Sequence, residues 1–193
     1  MSTHTDGATA DDLGTALRAL MQTHGFAPCE HRDEVLRFHS LADRLIPGPV
    51  ATPEALATVQ QKTGSSLFLY VNASGEDEAF LGLFAFSPEG EKAFASGAFS
   101  SLSPAPAHIA PPSTETRLGY VWGFGGLRPA SGFRLLRALR HMRCALFAHI
   151  TLAARAASPE GRALMAPFGH TASLHDPSLF LSPALASAAE HRV

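Results

Sequence analysis

The sequence lacks the residue patterns of several common protein classes. Only two cysteines occur in 193 residues, which excludes a disulfide scaffold and a cysteine zinc cage. No apolar run reaches membrane-spanning length. The ten histidines show neither H-x-x-x-H nor H-E-x-x-H spacing, and the nucleophile motif G-x-S-x-G is absent. We therefore expect no metal site, no membrane span and no serine hydrolase.

Charge of either sign is also scarce. Lysine and arginine number 15 against 17 acidic residues, a net charge of −2, so neither nucleic acid nor an anionic membrane is an expected partner. The polar N-terminus has no apolar signal segment. Apolar residues make up 46% of the chain, enough to build a core. The composition predicts one soluble, cytoplasmic domain.

The N-terminal half carries two helix patterns. Apolar residues recur with helical spacing over 13–21, before Gly25. Thr52 is a natural N-cap, followed by proline at the first helical position and by Gly64 as the C-cap. For segment 27–46 the sequence allows two predictions, which are a single helix or a short strand followed by a helix.

The middle of the chain predicts a β-hairpin and then an insert. Segments 67–73 and 79–86 are rich in strand formers and are separated by turn residues. A helix begins at Ser87, and the proline- and serine-rich segment 98–116 is predicted to be a long loop.

The C-terminal half alternates strands and helices. Its predicted elements are a glycine-rich strand at 117–127, a helix from Ser131 to about Arg143, a strand at 145–154, a helix from 158 to 169 and a final strand within 171–181. The order predicts an α/β (α+β) chain around a mixed sheet.

The tetrapeptide Ser-Pro-Glu-Gly occurs twice, at 87–90 and 158–161. A duplicated unit is one interpretation. The other is that Ser-Pro-Glu is a good helix start wherever it arises.

Five arginines cluster in the glycine-rich half. Arg128 lies in a turn of small residues that opens a helix, a setting suited to an anion. The others follow at a spacing of three along that helix: Arg134, Arg137, Arg140 and Arg143. Recognition of an anionic cofactor and a merely solvated helix face both remain open.

The block at 117–170 resembles the GNAT superfamily of acyl-CoA-dependent N-acyltransferases. In that family a bulged strand precedes a Q/R-x-x-G-x-G/A loop, and residues 127–132 align with that loop, with Ala130 and Gly132 as its small residues. Leu127 stands where glutamine or arginine is usual. A second block, from Ser158 to Gly169, has the family's spacing, with Met165 in the slot of the usual tyrosine.

The resemblance implies one domain over 11–182, with a mainly antiparallel central sheet flanked by helices and an insert at 87–116. A flexible N-terminus (1–10) precedes this domain, and a tail (183–193) follows it. It implies acetyl-CoA or another acyl-CoA as co-substrate and a small-molecule or peptide amine as acceptor. The cofactor would contact these residues: Leu127, Arg128, Ala130, Ser131, Gly132, Phe133 and Ser158. Tyr120 and Trp122 on the glycine-rich strand would wall the acceptor site or fill the core.

An acyltransferase also needs a base for the amine and an acid for the leaving thiolate. His149 is the titratable side chain on the strand predicted at 145–154 and is our candidate base. The alternative is a structural core histidine. Met165 cannot donate a proton, whereas the family's tyrosine can. A non-catalytic ligand-binding or protein-interaction module is therefore the competing hypothesis, and homodimerisation through a sheet edge stays open.

Overall fold

The computed structural model describes residues 12–174 and 176–185. The expectations for the N-terminus and for most of the tail lie outside these residues. The helices are α1 (Asp12–Thr23), α2 (Arg32–Leu45), α3 (Pro53–Thr63), α4 (Pro88–Ala95), α5 (Pro129–Ala145) and α6 (Pro159–Met165). The strands are β1 (Phe26–Pro28), β2 (Leu67–Val71), β3 (Asp77–Phe86), β4 (Ile109–Ala110), β5 (Leu118–Gly126), β6 (Thr151–Arg155), β7 (Thr171–Ala172) and β8 (Leu179–Ser182).

The strands form one sheet in the order β1-β2-β3-β5-β6-β8-β7, with β4 paired to β3. All pairings are antiparallel except that of β5 with β6, which is parallel. A parallel pair needs a crossover, and α5 supplies it. The predicted fold class, a mixed and mainly antiparallel sheet flanked by helices, is confirmed.

Each face of the sheet carries its own apolar core. On one face α1 and α5 pack over β3, β5 and β6, with Leu17, Met21, Leu135 and Met142 buried. On the other face α2 and α3 contribute residues such as Phe38 and Leu56. We call these the α5 face and the α2 face. The sheet is thus buried on both sides, which explains the nearly continuous apolar sequence of β3.

Helix capping follows the sequence signals. The Thr52 hydroxyl accepts a hydrogen bond from the Ala55 amide, and Gly64 has φ of 63°. Both Ser-Pro-Glu-Gly segments begin helices, because each serine accepts a hydrogen bond from the glycine amide three residues later at 3.0 Å. Their common role is therefore local capping, and no duplication is needed to account for it.

One predicted element needs correction. The strand predicted at 145–154 is wrong in its first half, since α5 runs to Ala145 and a turn precedes β6. The apolar residues that suggested a strand, Phe147 and Ile150, are buried in that turn. Their carbonyl groups accept hydrogen bonds from the buried Arg143, so an irregular segment satisfies its backbone without strand pairing.

The remaining differences concern short strands. The loop predicted at 98–116 contains a 3₁₀ turn at Pro106–His108 and the strand β4. Two strands occupy the C-terminal region where one was predicted, and segment 27–46 holds a short strand followed by a helix. None of the helices in the part of the chain that the structure describes is long and apolar enough to cross a membrane.

A histidine pair joins α5 to the turn after α1. His24 Nε2 and His141 Nδ1 lie 3.1 Å apart. Burial lowers the pKa of His24, and the neighbouring His141, Arg137 and Arg134 lower it further. The folded state therefore binds this proton less readily than the unfolded chain, so the pair favours folding above the ordinary histidine pKa of about 6.5 and loses that contribution as pH falls.

We predict that acidification from pH 7.5 to 5.5 lowers the melting temperature and that His24→Gln weakens this dependence. Thermal unfolding of both proteins at the two pH values checks this. His149→Gln is the control, because His149 is exposed in a turn. Parallel pH profiles for the wild type and His24→Gln would contradict the assignment.

Candidate functional site

The central feature of the site is the point where the two parallel strands part. Strand β5 pairs with β6 only from Leu118↔Thr151 to Val121↔Ala154, yet β5 continues to Gly126. From Gly123 to Gly126 β5 pairs with β3 on its other side. Its edge toward β6 then has no strand partner among the described residues, so its backbone polar groups face a gap.

A cleft of about 320 Å³ occupies this gap. One wall is the C-terminal part of β5, and the opposite wall is the segment from Arg155 to Gly161 that leads into α6. Leu45 and Ile46 at the end of α2 close one side, while Leu164 and Met165 line the other. The cleft thus lies at the carboxyl ends of two diverging parallel strands, the usual place for a ligand in an α/β sheet.

A β-bulge reshapes β5 at the cleft. The register with β3 shifts between Gly82↔Gly123 and Leu83↔Val121, which leaves Trp122 as the extra residue. Beyond the bulge, a Cβ on Gly123 would lie 2.7 Å from Ile46 and one on Gly125 would lie 3.1 Å from Leu45. Glycine at these positions lets the side chains at the end of α2 pack directly on the strand.

The turn between β5 and α5 borders the cleft. A Cβ on Gly126 would lie 2.7 Å from the Gly132 amide nitrogen, so strand and helix are in backbone contact. The buried Ser131 hydroxyl accepts a hydrogen bond from the Arg128 amide at 3.2 Å. Within α5 the amides of Ala130 and Ser131 have no intrahelical acceptor, since they belong to its first turn. The positive end of α5 therefore lies beside the cleft, which Gly132 lines.

Acidic residues engage the guanidinium of Arg128. Its Nη1 lies 3.2 Å from the buried Glu78 carboxylate and its Nη2 lies 3.5 Å from Glu76. The Asn72 side-chain amide donates to the Glu76 carboxylate at 2.9 Å and to the Glu78 carboxylate at 2.8 Å. The backbone amides of this turn, rather than a free Arg128, are consequently the groups best placed for an anion.

The helical arginines have different environments. Arg134 lies 4.8 Å from the centre of the Tyr70 ring and donates to the His24 carbonyl at 3.3 Å. Arg143 is buried and donates to four oxygens of the following turn and of the C-terminal segment. Arg137 and Arg140 are exposed on α5, as the solvated-face interpretation predicts.

Tyr120 and Trp122 point to the α2 face, where the insert covers them. Tyr120 is buried beside Phe86, Phe94 and Phe99. The indole nitrogen of Trp122 donates to the Ser101 carbonyl at 2.8 Å, and its ring lines the cleft. The insert is therefore a fixed cover on this face, tied to the strand that carries both aromatic residues.

Other predicted site residues are dispersed. Gly132 and Ser158 line the cleft, and Ser158 also caps α6. The Leu127 amide donates to the Glu78 carbonyl at 2.8 Å. Ala130 and Phe133 are exposed on the first turn of α5.

His149, the candidate base, does not lie on a strand. It is exposed in the turn before β6, at the end of that strand opposite the cleft. The structure does not bring it together with the other candidates. Its selection depended on the strand at 145–154, which the structure replaces by a helix end and a turn.

Two ionisable residues of the cleft were missed in the sequence. Arg155 ends β6 and lines the cleft, and its Nη1 bonds Asp176 at 2.5 Å and Ser178 at 2.7 Å. Glu160 lies in the first turn of α6, where hydrogen bonds from its own backbone amide and from Ser158 lower the pKa of its carboxyl. The Ser-Pro-Glu cap was the one signal that could have found Glu160.

The thiols and histidines offer little further chemistry. Burial raises the pKa of Cys29 to about 12, so this thiol is protonated and a poor nucleophile. Cys144 is exposed. Across residues 12–174 and 176–185, no group of three or more metal-binding side chains comes together.

Comparison with known proteins returns matches in structure only. No protein-family model matches the chain, and no curated protein matches its sequence. It is similar to a crystal structure titled histone acetyltransferase HPA2 and related acetyltransferase from Corynebacterium glutamicum, with a TM-score of 0.45 and 16% identity over 84% of this chain and 97% of that one.

A second similar structure is GphF, a GNAT-like decarboxylase in complex with isobutyryl-CoA. Its TM-score is 0.45, with 17% identity over 69% of this chain and 68% of that one.

Proposed function

We propose that the chain binds an acyl-CoA in the cleft between β5 and β6 and transfers the acyl group to an amine. The observation that carries this proposal is the parting of the two parallel strands after Val121↔Ala154, with β5 extended to Gly126 along an open cleft. The free edge of β5 can pair with the amide groups of an extended pantetheine arm, as a strand edge pairs with a peptide.

The ends of the cleft suit the two ends of such a ligand. At the α5 end, the amides of Ala130 and Ser131 and the positive end of a 17-residue helix attract the diphosphate. Gly132 has open space around its Cα, so a phosphate can approach the backbone there. The thioester then lies near the bulge at Trp122, where strand amides can polarise its carbonyl.

One group of the chain would handle the amine. The Glu160 carboxylate lines the cleft and attracts a cationic acceptor. Its lowered pKa keeps it ionised at neutral pH, so the amine loses its proton to water rather than to a strong base of the protein. The thiolate of the departing CoA takes a proton from solvent, because the buried Met165 thioether has none to give.

A ligand-binding module without transfer activity is the second candidate. The observation that favours it is Met165, which is buried in the cleft wall at the position of the family's usual acid. Both candidates require acyl-CoA in the same cleft, and they differ only in turnover.

A thermal-shift titration with acetyl-CoA tests the proposal. Ligand at a hundredfold excess over its dissociation constant adds about 2.7 kcal/mol of stability, which raises the melting temperature by about 5 to 10 °C in a domain of this size. Release of free thiol from acetyl-CoA in the presence of an amine distinguishes the enzyme from the binding module. Absence of a shift with CoA, acetyl-CoA and a longer acyl-CoA would contradict both.

A further inference from the structure

We infer that a small chamber beside the cleft binds a carboxylate, so that the acceptor is an amine that also carries a carboxyl group, such as a free amino acid. This rests on the proposed function for the role of the ligand as acceptor. The carboxylate site itself depends only on the residues of the chamber.

The chamber has a volume of about 70 Å³ and lies on the α2 face under the insert. A water-sized site needs about 10 to 15 Å³ on this measure, so the chamber has room for a group of several atoms. Phe94, Phe99 and Leu179 make its walls apolar. The polar groups that line it come from three residues, which are Ser101, Tyr120 and Arg155.

These polar groups lie around the Arg155 guanidinium, which is already paired with the Asp176 carboxylate through Nη1 at 2.5 Å. The Tyr120 side chain interacts with Ser101 and Arg155. Burial raises the pKa of Tyr120, so its phenol keeps its proton and can donate. The guanidinium of Arg155 uses Nη1 for Asp176 and Ser178, which leaves donors on its other nitrogens.

This chemistry favours a carboxylate over other small ligands. A planar guanidinium offers two parallel N–H groups that match the two oxygens of a carboxylate. The adjacent Tyr120 phenol, which is buried, and the Ser101 hydroxyl can complete its hydrogen bonds. A cationic amine would meet Arg155 unfavourably, and the small volume excludes a nucleotide.

Position connects the chamber to the acceptor rather than to the cofactor. Arg155 lines both the cleft and the chamber. The chamber lies on the α2 face, whereas the turn proposed for the diphosphate belongs to α5 on the other face. An amino acid with its carboxylate at Arg155 would therefore direct its amine into the cleft from the side opposite the cofactor.

Tryptophan fluorescence gives a direct test, because Trp122 is the single tryptophan of the chain. The Trp122 indole donates a hydrogen bond to the carbonyl of Ser101, and Ser101 lines the chamber. We expect a saturable change with L-alanine and with acetate, and none with ethylamine, which is alanine without its carboxyl group. Equal responses to L-alanine and ethylamine, or no response to either carboxylate, would overturn the inference.

Variants then locate the binding site. Tyr120→Phe keeps the ring and removes the donor, and it should weaken carboxylate binding about tenfold. Arg155→Met should abolish the response, and Arg155→Lys should restore it in part. The matched control is Arg140→Met, an exposed arginine on α5, which should bind as the wild type does. Loss of binding in Arg140→Met alone would place the carboxylate elsewhere and overturn the inference.

A parallel acetyl-CoA titration separates this inference from the proposed function. Carboxylate binding without any acetyl-CoA effect would leave the chamber established and reject the acyltransferase. An acetyl-CoA shift without carboxylate binding would reject the chamber alone. Circular dichroism of each variant, compared with the wild type, distinguishes lost binding from lost folding.

Discussion

Gly132→Glu is expected to abolish the effect of acetyl-CoA on thermal stability. The side chain would enter the open space above the first turn of α5, where the proposed diphosphate lies. A carboxylate there fills the site and repels the phosphates, and like charges in contact cost several kcal/mol. We expect the dissociation constant to rise more than about a hundredfold, measured by calorimetry or by thermal shift.

The chain offers a matched control at the same position. A Cβ on Gly132 would meet no protein atom within 4 Å, so Gly132→Ala should fold, and it should weaken acetyl-CoA binding far less than Gly132→Glu does. Both variants should be at least as stable as the wild type without ligand, because glycine is a poor helix former and a glutamate near a helix N-terminus is favourable. Normal acetyl-CoA affinity in Gly132→Glu would show that the ligand does not use this turn.

Local signals carried much of the fold prediction. Thr52, Gly64 and the two Ser-Pro-Glu-Gly segments mark helix ends through hydrogen bonds that span three or four residues, and such bonds are written in contiguous sequence. The strand pair 67–86 and the glycine-rich strand were predictable for the same reason, since pattern and turn chemistry agree there.

The secondary-structure prediction failed where the sequence is continuously apolar. The residues from Ala145 to Ala154 have no polar interruption except His149 and Thr151, so a helix end, a turn and a strand look alike. What decides between them is Arg143, whose buried side chain holds the turn carbonyls. This interaction belongs to the tertiary structure, so the hydrophobic periodicity of the sequence does not reveal it.

The site was predictable only where it is local. Of the candidate cofactor residues, Gly132 and Ser158 line the cleft, and each could be picked out because it belongs to one short segment. The chamber joins Ser101, Tyr120 and Arg155 from the insert, β5 and β6, and its ion pair adds Asp176. Such a set becomes visible only when strand order is known, because nothing in the spacing of these residues relates them.

The second large effect concerns stability and uses the repeated tetrapeptide. Gly90 and Gly161 occupy the same position in the two capped helix starts, yet their surroundings differ. A Cβ on Gly90 would lie 2.8 Å from the carbonyl carbon of His108 and closer still to its oxygen, which is backbone of the insert. A Cβ on Gly161 would meet only the Ser158 hydroxyl, at an ordinary 3.5 Å.

We therefore expect Gly90→Ala to destabilise the protein by about 3 kcal/mol, since backbone cannot yield as a flexible side chain can. The melting temperature should fall by about 6 to 12 °C. Gly161→Ala should leave it unchanged or raise it slightly. Differential scanning calorimetry of both variants measures this.

Trp122 fluorescence reports which part of the molecule yields in Gly90→Ala. The insert that includes His108 also provides the carbonyl of Ser101 to the Trp122 indole, so displacement of the insert should shift the emission maximum of Gly90→Ala to longer wavelength. Equal stability of the two alanine variants would mean that α4 and the insert are not packed as closely as the Gly90 contact requires. A destabilised Gly90→Ala with unchanged emission would instead place the adjustment within α4, and the cover over Tyr120 and Trp122 would then be independent of that helix.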